Sequence, residues 1–316
     1  MDRVTAAEIF RSALRAGVTT LDCADIYMGV EELIGSFLAS ECPSHRPRIH
    51  TKYVPDLAAL PTLTARQTTQ TVERSLQRLQ VERLDLVQFH WWDFDIPGYV
   101  ETAQCLDQLR RRGKISHVGV TNFDALHLGE ILDAGVPVVS NQVQYSLLDR
   151  RPEGNMAQLC VEHGISILCY GTLAGGFLSE TYVGAAEPKA PLENRSLVKY
   201  ALIIDEFGGW DRFQHLLSTL QSVAVRHGVG IAAVASRFVL DRPHVAACIT
   251  GVRNPDRLRE AETIFNIELT PEDRAEIDAC LAETSGPAGP IYGLERVKGG
   301  RHAVIMWTNL NRSDAR

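Results

Sequence analysis

The stretch Leu84-Asp85-Leu86-Val87-Gln88-Phe89-His90 decides how this chain folds. A short run rich in apolar residues that ends on a polar side chain is typical of a buried strand in a parallel sheet. Similar runs recur along the chain, and longer stretches with a helical pattern lie between them. This alternation predicts an α/β fold built from βα units around a parallel sheet.

The predicted elements extend over most of the chain. Candidate strands lie at 18–22, 47–52, 84–90, 115–121, 137–143, 165–170 and 245–250. Candidate helices lie at 5–16, 30–40, 64–80, 98–112, 124–134, 152–163, 211–227 and 255–265. The pattern predicts a TIM-type (β/α)8 barrel, whose ring needs one strand more than these seven. Either an N-terminal strand is absent, or another segment such as Ala303-Val304-Ile305-Met306-Trp307 completes the ring.

Length and composition favour one domain. The chain has 316 residues, of which 45% are hydrophobic, and α/β barrels of this size fold as single domains. We therefore expect one barrel over residues 1–316. Two long connections interrupt the alternation: a lid-like loop at 171–210 and a Gly/Pro-rich tail from 285 onward. Connections of this length usually bind ligands or cover a site.

Charge and hydropathy exclude several classes of partner. A formal net charge of −7 gives no basic field for nucleic acid. No apolar run reaches the roughly 20 residues needed to cross a bilayer, and the N-terminus lacks the apolar core of a secretory signal. We therefore expect no membrane partner and a cytoplasmic location. The oligomeric state does not follow from the sequence.

Cysteine and histidine usage argues against metal sites. The seven cysteines are scattered and include no C-x-x-C pair, which disfavours a disulfide framework and structural zinc. The histidines form neither H-x-H nor H-E-x-x-H, so a metal-dependent hydrolase is a distant alternative. We expect no metal, and we expect most cysteines to be buried apolar residues.

Four ionisable residues lie at or near the ends of the first three predicted strands: Asp22, Tyr27, Lys52 and His90. Strand ends in a parallel barrel converge on one mouth, where such folds place their chemistry. A tyrosine can give a proton to a carbonyl oxygen if a nearby ammonium lowers its pKa. Lys52 would supply that ammonium, Asp22 would keep it charged, and His90 would donate a hydrogen bond to the substrate oxygen. Each residue taken alone is more often structural.

These motifs resemble those of the aldo-keto reductase family, and the match extends over nearly the whole chain. Singly they are loose, but together and in order they are specific. They are the D-x-A-x-x-Y block at 22–27 with the E-E-x-x-G that follows at 31–35, Thr51-Lys52, Asp85-Leu86-Val87-Gln88-Phe89-His90, Gly119-Val120-Thr121-Asn122-Phe123, Asn141-Gln142-Val143-Gln144-Tyr145, Tyr170-Gly171-Thr172-Leu173 and Gly251-Val252-Arg253-Asn254-Pro255.

The resemblance implies a catalytic tetrad and a cofactor site. In the family, the residues that match Asp22, Tyr27, Lys52 and His90 catalyse the reduction of an aldehyde or ketone, with the tyrosine as general acid. The residues that match the cofactor site are Thr121, Asn122 and Gln142 at the carboxamide, Tyr170 on the nicotinamide ring, Gly171, Leu173, Gly175 and Glu260 along the diphosphate and adenosine, and Gly251, Arg253 and Arg257 at a phosphate. The two arginines favour NADPH over NADH.

The chain also departs from the family pattern. It shows no counterpart of the first strand or of the N-terminal hairpin, so we expect a barrel without them. Thr121 replaces the commoner serine, which keeps the hydroxyl, and Ala261 replaces an asparagine that reads adenine. The aromatic pair Trp91-Trp92 would suit an aryl or apolar carbonyl substrate.

Other functions remain open from the sequence alone. One is a cofactor-binding regulatory subunit with little turnover, resembling the potassium-channel beta subunits that share this fold. Another is an inactive truncated reductase, because the first strand is missing. For Asn122 and Gln142 the structural alternative is hydrogen bonding at strand ends, and for Tyr170 it is core packing.

Overall fold

The computed structural model describes residues 3–41, 46–251, 256–284 and 286–310. Strands and helices alternate as far as the sixth strand, after which helices predominate. The strands are β1 Thr20–Asp22, β2 Arg48–Tyr53, β3 Leu84–Phe89, β4 Ile115–Thr121, β5 Val138–Gln144, β6 Ser166–Tyr170 and β7 Val245–Cys248. The helices are α1 Arg3–Arg15, α2 Val30–Glu41, α3 Ala65–Leu79, α4 Tyr99–Arg111, α5 Ala125–Asp133, α6 Asn155–His163, α7 Arg195–Phe207, α8 Trp210–His227, α9 Ile231–Leu240, α10 Asp256–Asn266, α11 Pro271–Ala282 and α12 Gly293–Arg296.

The strands form one parallel sheet, as the sequence predicts. Within the described residues the sheet has seven strands in the order β1-β2-β3-β4-β5-β6-β7, so each strand lies beside its neighbour in sequence. The register pairs Lys52 with Gln88 and Thr121 with Gln142. Because the strands run in one direction, their carboxyl ends lie along a single edge of the curled sheet.

Within residues 286–310, the part of the tail that the structure describes, no strand is present. Residues 301–305, which overlap the candidate 303–307, form turns, with the Ala303 amide 3.0 Å from the Gly300 carbonyl oxygen. The alternative in which this segment completes the ring is therefore wrong. A short apolar run does not by itself distinguish a strand from other backbone conformations. In the described part of the chain, β1 and β7 each pair with one strand.

The segment 171–210 is not a simple loop, which corrects the expectation for it. It contains helix α7, whose N-cap is Asn194, with the side chain accepting a hydrogen bond from the Leu197 amide at 3.1 Å. Helices α9 and α11 were also not predicted. In α11 the signal was present, because Thr270 and Asp273 form a capping box and Pro271 occupies the first turn.

Buried apolar side chains form two clusters. The barrel cluster joins the strands to the helices of the first half of the chain, with Phe89, Trp91 and Phe123 among its largest members. The helical cluster joins α7, α8, α9 and α11 to residues 147–148 and 173–178. The two clusters meet near the end of β6, so apolar side chains of both clusters pack at this end of the sheet.

No single helix among the described residues has both the length and the apolar character that a bilayer span needs. Helices α8 and α9 satisfy those measures only as a pair, and that pair is bent by 95°.

Candidate active site

The predicted catalytic side chains lie along one edge of the sheet. Asp22 ends β1, Lys52 is next to last in β2, and His90 directly follows β3. Lys52 and His90 are buried, with 7% and 2% of their surfaces exposed. The structure therefore brings three residues from distant parts of the chain to the same end of the barrel, as the sequence predicts.

Asp22 is the acceptor at the base of the site. Its carboxylate forms an ion pair with the Lys52 ammonium, which also donates to the Cys23 carbonyl oxygen at 2.9 Å. Burial is the largest single influence on the pKa of Lys52 and lowers it, but attraction by Asp22 together with Tyr27 and Cys23 leaves the pKa raised. The lysine thus stays protonated despite its burial.

Two glutamines extend this cluster. Gln88 and Gln142 donate to the second carboxylate oxygen of Asp22 at 2.9 and 2.8 Å, and the Gln142 amide also donates to Gln88 Oε1 at 2.9 Å. Sequence reasoning missed Gln88 as a functional residue. The available signal was its position two residues before His90. Because side chains alternate along a strand, residues 88 and 90 point to the same face of the sheet.

Tyr27 lies in the loop between β1 and α2. Its side chain is 47% exposed, and the Lys52 ammonium lies 5.4 Å from the centroid of its ring. The phenol is therefore next to a buried cation and is also open to water. A hydroxyl in this position can lose a proton to a substrate and regain one from solvent.

His90 has one ring nitrogen engaged and one without a partner. Nδ1 lies 3.2 Å from the Thr121 carbonyl oxygen, which can only accept, so Nδ1 carries the proton. Burial, and next the charge of Arg296, lower the pKa of His90 to about 3, so the ring is neutral. Nε2 is buried and has no hydrogen-bond partner among the described residues. In this tautomer Nε2 accepts, which differs from the expectation that His90 donates to the substrate oxygen.

The residues expected at the nicotinamide carboxamide lie together at the ends of β4 and β5. The Thr121 hydroxyl donates to the Gln142 carbonyl oxygen at 2.9 Å, and Asn122 Oδ1 accepts from the Tyr170 hydroxyl at 2.8 Å. In the described part of the chain, Asn122 Nδ2 and Gln142 Oε1 have no hydrogen-bond partner. This donor and acceptor match the oxygen and the amino group of a carboxamide, so these residues fit the nicotinamide.

Tyr170 and the segment after it lie below helix α7. Gly171 and Gly175 have φ angles of +71° and +67°, a region that favours glycine. A Cβ at Gly171 would collide with the Tyr200 hydroxyl, and one at Gly175 would lie 2.8 Å from the Tyr200 ring. Leu173 packs against the helical cluster. Glycine at these two positions thus permits α7 to approach the segment expected at the diphosphate.

The structure describes little of the predicted phosphate site. Gly251 is exposed, and Arg253 lies outside the described residues. Arg257 and Glu260 lie in α10, and their side chains are also outside the described part. Their assignments stay predictions.

The tail supplies two residues that sequence reasoning did not single out. The buried ring of Tyr292 meets the edge of the His90 ring at 5.5 Å between centroids, and Trp92 meets it at 4.4 Å. Arg296 donates to the carbonyl oxygens of Trp91 and Asn122 at 2.8 and 3.0 Å. The tail is therefore fixed across the mouth beside His90.

These features suit the reduction of a carbonyl bond with a nicotinamide, because a tyrosine lies beside a charged lysine, and a neutral imidazole lies at the same edge of the sheet. Among the described residues no group of three or more His, Cys, Asp or Glu side chains could hold a metal ion. Fold and site together define an oxidoreductase built on a parallel α/β barrel.

Comparison with known protein families identifies the particular family to which the chain belongs. The model of the Aldo/keto reductase family matches residues 1–282, so the chain belongs to this family. It is an NAD(P)H-dependent oxidoreductase that acts on small carbonyl compounds. The seven strands of the described residues accordingly belong to the sheet of a (β/α)8 barrel.

Individual relatives agree with this assignment. Aldo-keto reductase YhdN of Bacillus subtilis is 29% identical over 301 residues, which cover 92% of this chain and 88% of that protein. The NADH-specific methylglyoxal reductase of Escherichia coli is 27% identical and covers 86% of each chain. The glycerol dehydrogenase AKR11B4 from Gluconobacter oxydans superposes with a TM-score of 0.74 at 26% identity over 90% of this chain and 87% of that one. These relatives are named as enzymes, which favours a reductase over a regulatory subunit.

Proposed function

We propose that this protein reduces an aldehyde or ketone to an alcohol with NADPH, and that Tyr27 provides the proton. The observation that carries the proposal is the Asp22–Lys52 ion pair beside the exposed Tyr27 ring. When bound, the nicotinamide supplies a hydride to the carbonyl carbon. Asn122 and Gln142 would hold its carboxamide, and the Tyr170 ring would lie against it.

Tyr27 would transfer its hydroxyl proton to the carbonyl oxygen as the C=O double bond becomes a single bond. The neighbouring Lys52 ammonium stabilises the phenolate that remains. Asp22 keeps that ammonium charged in a buried position. Because half of the Tyr27 surface is open, water can restore its proton after each turnover.

His90 would position the product instead of supplying the proton. Its neutral ring presents an unpartnered Nε2, which can accept a hydrogen bond from the hydroxyl group of the alcohol. Trp92 and Tyr292 both contact the His90 ring and would form aromatic walls beside the substrate. These walls favour aryl and apolar carbonyl compounds.

NADPH is our preferred cofactor because Arg253 and Arg257 follow the last strand in the sequence. The Escherichia coli relative is named as specific for NADH, so the two cofactors need direct comparison. We also propose a cytoplasmic location.

The test is the Tyr27→Phe variant, assayed with an aryl aldehyde by loss of nicotinamide absorbance. Removing the hydroxyl should lower kcat by about 100-fold or more, the usual contribution of a positioned general acid. Cofactor affinity, measured by tryptophan fluorescence, should stay within about twofold. Tyr182→Phe is the matched control, because Tyr182 packs against Phe177 and Trp210, outside the site, and this variant should keep full activity.

Equal turnover in wild type and Tyr27→Phe would show that Tyr27 is not the acid. Tight cofactor binding by the wild type with no turnover over a broad carbonyl panel would refute the reductase itself.

A further inference from the structure

Lys199 is a cation at the mouth of the barrel that makes no direct polar contact. It lies on α7, and its ammonium is 4.9 Å from the Tyr170 ring centroid and 5.9 Å from that of Tyr292. The side chain is half-buried. Within the described residues no hydrogen bond and no ion pair reaches its ammonium group. A half-buried charge that contacts only aromatic faces is incompletely compensated.

The two carboxylates whose charges act on Lys199 are already paired with another cation. Glu295 and Asp149 contact Arg151 at 3.1 and 2.7 Å, and all three side chains are almost fully buried. Burial lowers the pKa of Lys199, while the field of Glu295 acts in the opposite direction. Lys199 thus feels these carboxylates at a distance and keeps its hydrogen-bond donors available.

The Lys199 ammonium lies beside two aromatic rings of the site, those of Tyr170 and Tyr292. The Tyr292 ring that it approaches also contacts the edge of His90, so a single ring separates Lys199 from the imidazole with the unpartnered Nε2. The next residue, Tyr200, points its hydroxyl at Gly171, on the segment expected at the cofactor diphosphate. Adjacent residues of α7 therefore serve different parts of the site.

We propose that Lys199 binds a carboxylate group of the carbonyl substrate, so that the enzyme prefers aldehydes or ketones bearing an acid group. This inference rests on the proposed reductase function. The ligand is identified by its charge and reach: an anionic oxygen that meets the ammonium while its carbonyl group lies at Tyr27 and His90.

The experiment compares 4-carboxybenzaldehyde with its neutral analogue of similar shape, 4-formylbenzamide. For the wild type, kcat/KM should favour the acid by about 10-fold or more, as expected for a hydrogen bond between charged groups. In Lys199→Met the preference should fall to about onefold while kcat/KM for the amide stays within about threefold. Lys199→Arg should restore most of the preference. Lys298→Met, an exposed lysine paired with Asp93, is the matched control and should behave as wild type.

Equilibrium binding gives a readout that does not need turnover. With oxidised NADP⁺ present, which cannot reduce the aldehyde, calorimetry should show Kd for 4-carboxybenzaldehyde rising about 10-fold in Lys199→Met. The Kd for NADP⁺ itself should be unchanged. This measurement remains decisive if the wild type proves inactive, in which case the proposed reductase function fails separately.

Three results would overturn the inference. If wild type and Lys199→Met showed the same ratio of kcat/KM for the acid to kcat/KM for the amide, Lys199 would not bind the acid group. The reductase function would still stand. A higher Kd for NADP⁺ with unchanged substrate preference would show that Lys199 binds a cofactor phosphate. A lower Tm with unchanged preference would show that it only balances the charge of Glu295 and Asp149.

Discussion

At the scale of single residues, the site depends on a histidine that is held neutral. His90 is buried in contact with Trp92 and Tyr292, and burial, and next the charge of Arg296, lower its pKa to about 3. Over the range in which enzymes normally work, the ring therefore carries no charge. Its Nε2 stays an acceptor at every such pH, so His90 should not give rise to an acid limb in the rate profile near pH 6.

The lowered pKa of His90 also predicts how stability changes with pH. In the unfolded chain this histidine has a pKa of about 6.5, so between pH 6.5 and 3 the unfolded state binds a proton that the folded state does not. Stability from this group is present above pH 6.5 and is lost as the pH falls. Between pH 7 and pH 5 the loss should be about 2 kcal/mol.

Urea unfolding at both pH values measures this loss, and His90→Gln should remove it. The exposed His163 provides the control, because His163→Gln should leave the wild-type pH dependence in place. An unchanged difference between pH 7 and pH 5 in His90→Gln would contradict the buried neutral ring.

Membership of the site could be predicted from the sequence for residues that lie at strand ends and carry ionisable groups. Asp22, Lys52 and His90 could be placed from sequence because the ends of parallel strands converge. Gln88 and Lys199 were missed, for different reasons. Gln88 acts through Asp22 and has no chemistry of its own, and the location of Lys199 depends on how α7 packs across the mouth.

At the scale of elements, all seven strands were predicted because buried parallel strands form short apolar runs between clear turn signals. The helices between the early strands followed from the same alternation. Helices α7 and α9 were missed, since they interrupt that alternation and their apolar faces form a separate cluster. Tertiary packing, not local pattern, determines where those two helices lie.

Two glycines within helices allow the packing between elements to be tested. Replacing each by alanine should change the stability of the protein in opposite directions. Gly35 in α2 has no room for a side chain: a Cβ there would collide with the Arg78 carbonyl oxygen and lie 2.8 Å from the carbonyl carbon of Leu79 in α3. Gly129 in α5 has nothing within 4 Å of the corresponding position. We expect Gly35→Ala to destabilise the protein by about 2–3 kcal/mol, because α2 must move away from α3.

Gly129→Ala should instead stabilise it by about 0.5–1 kcal/mol, since alanine has the higher helix propensity. Thermal unfolding of the two variants and of the wild type should show a lower stability for Gly35→Ala and a higher stability for Gly129→Ala. A Gly35→Ala protein as stable as wild type would mean that α2 and α3 are not in the close contact described.

At the scale of the whole molecule, the mouth of the barrel is where the two hydrophobic clusters come together. Tyr292 and Trp92 belong to the barrel cluster, whereas Tyr200 and Leu173 belong to the helical cluster. The ion pair between Arg151 and Glu295 links the β5–α6 connection to the tail in the same place. A ligand seated there contacts both parts of the molecule.

The last prediction concerns unfolding of the whole chain in the presence of cofactor. Because the expected cofactor residues come from β4, β5, β6 and the segment below α7, binding should stabilise both clusters together. A ligand at 100 times its Kd adds about 2.7 kcal/mol to the free energy of unfolding. For a chain of this size, that corresponds to a rise in Tm of roughly 5 °C.

NADH at the same concentration should give a smaller rise if the cofactor is NADPH, and calorimetry should show a single transition that moves as one. Two transitions, of which NADPH shifts only one, would mean that the cofactor site does not join the barrel cluster to the helical cluster.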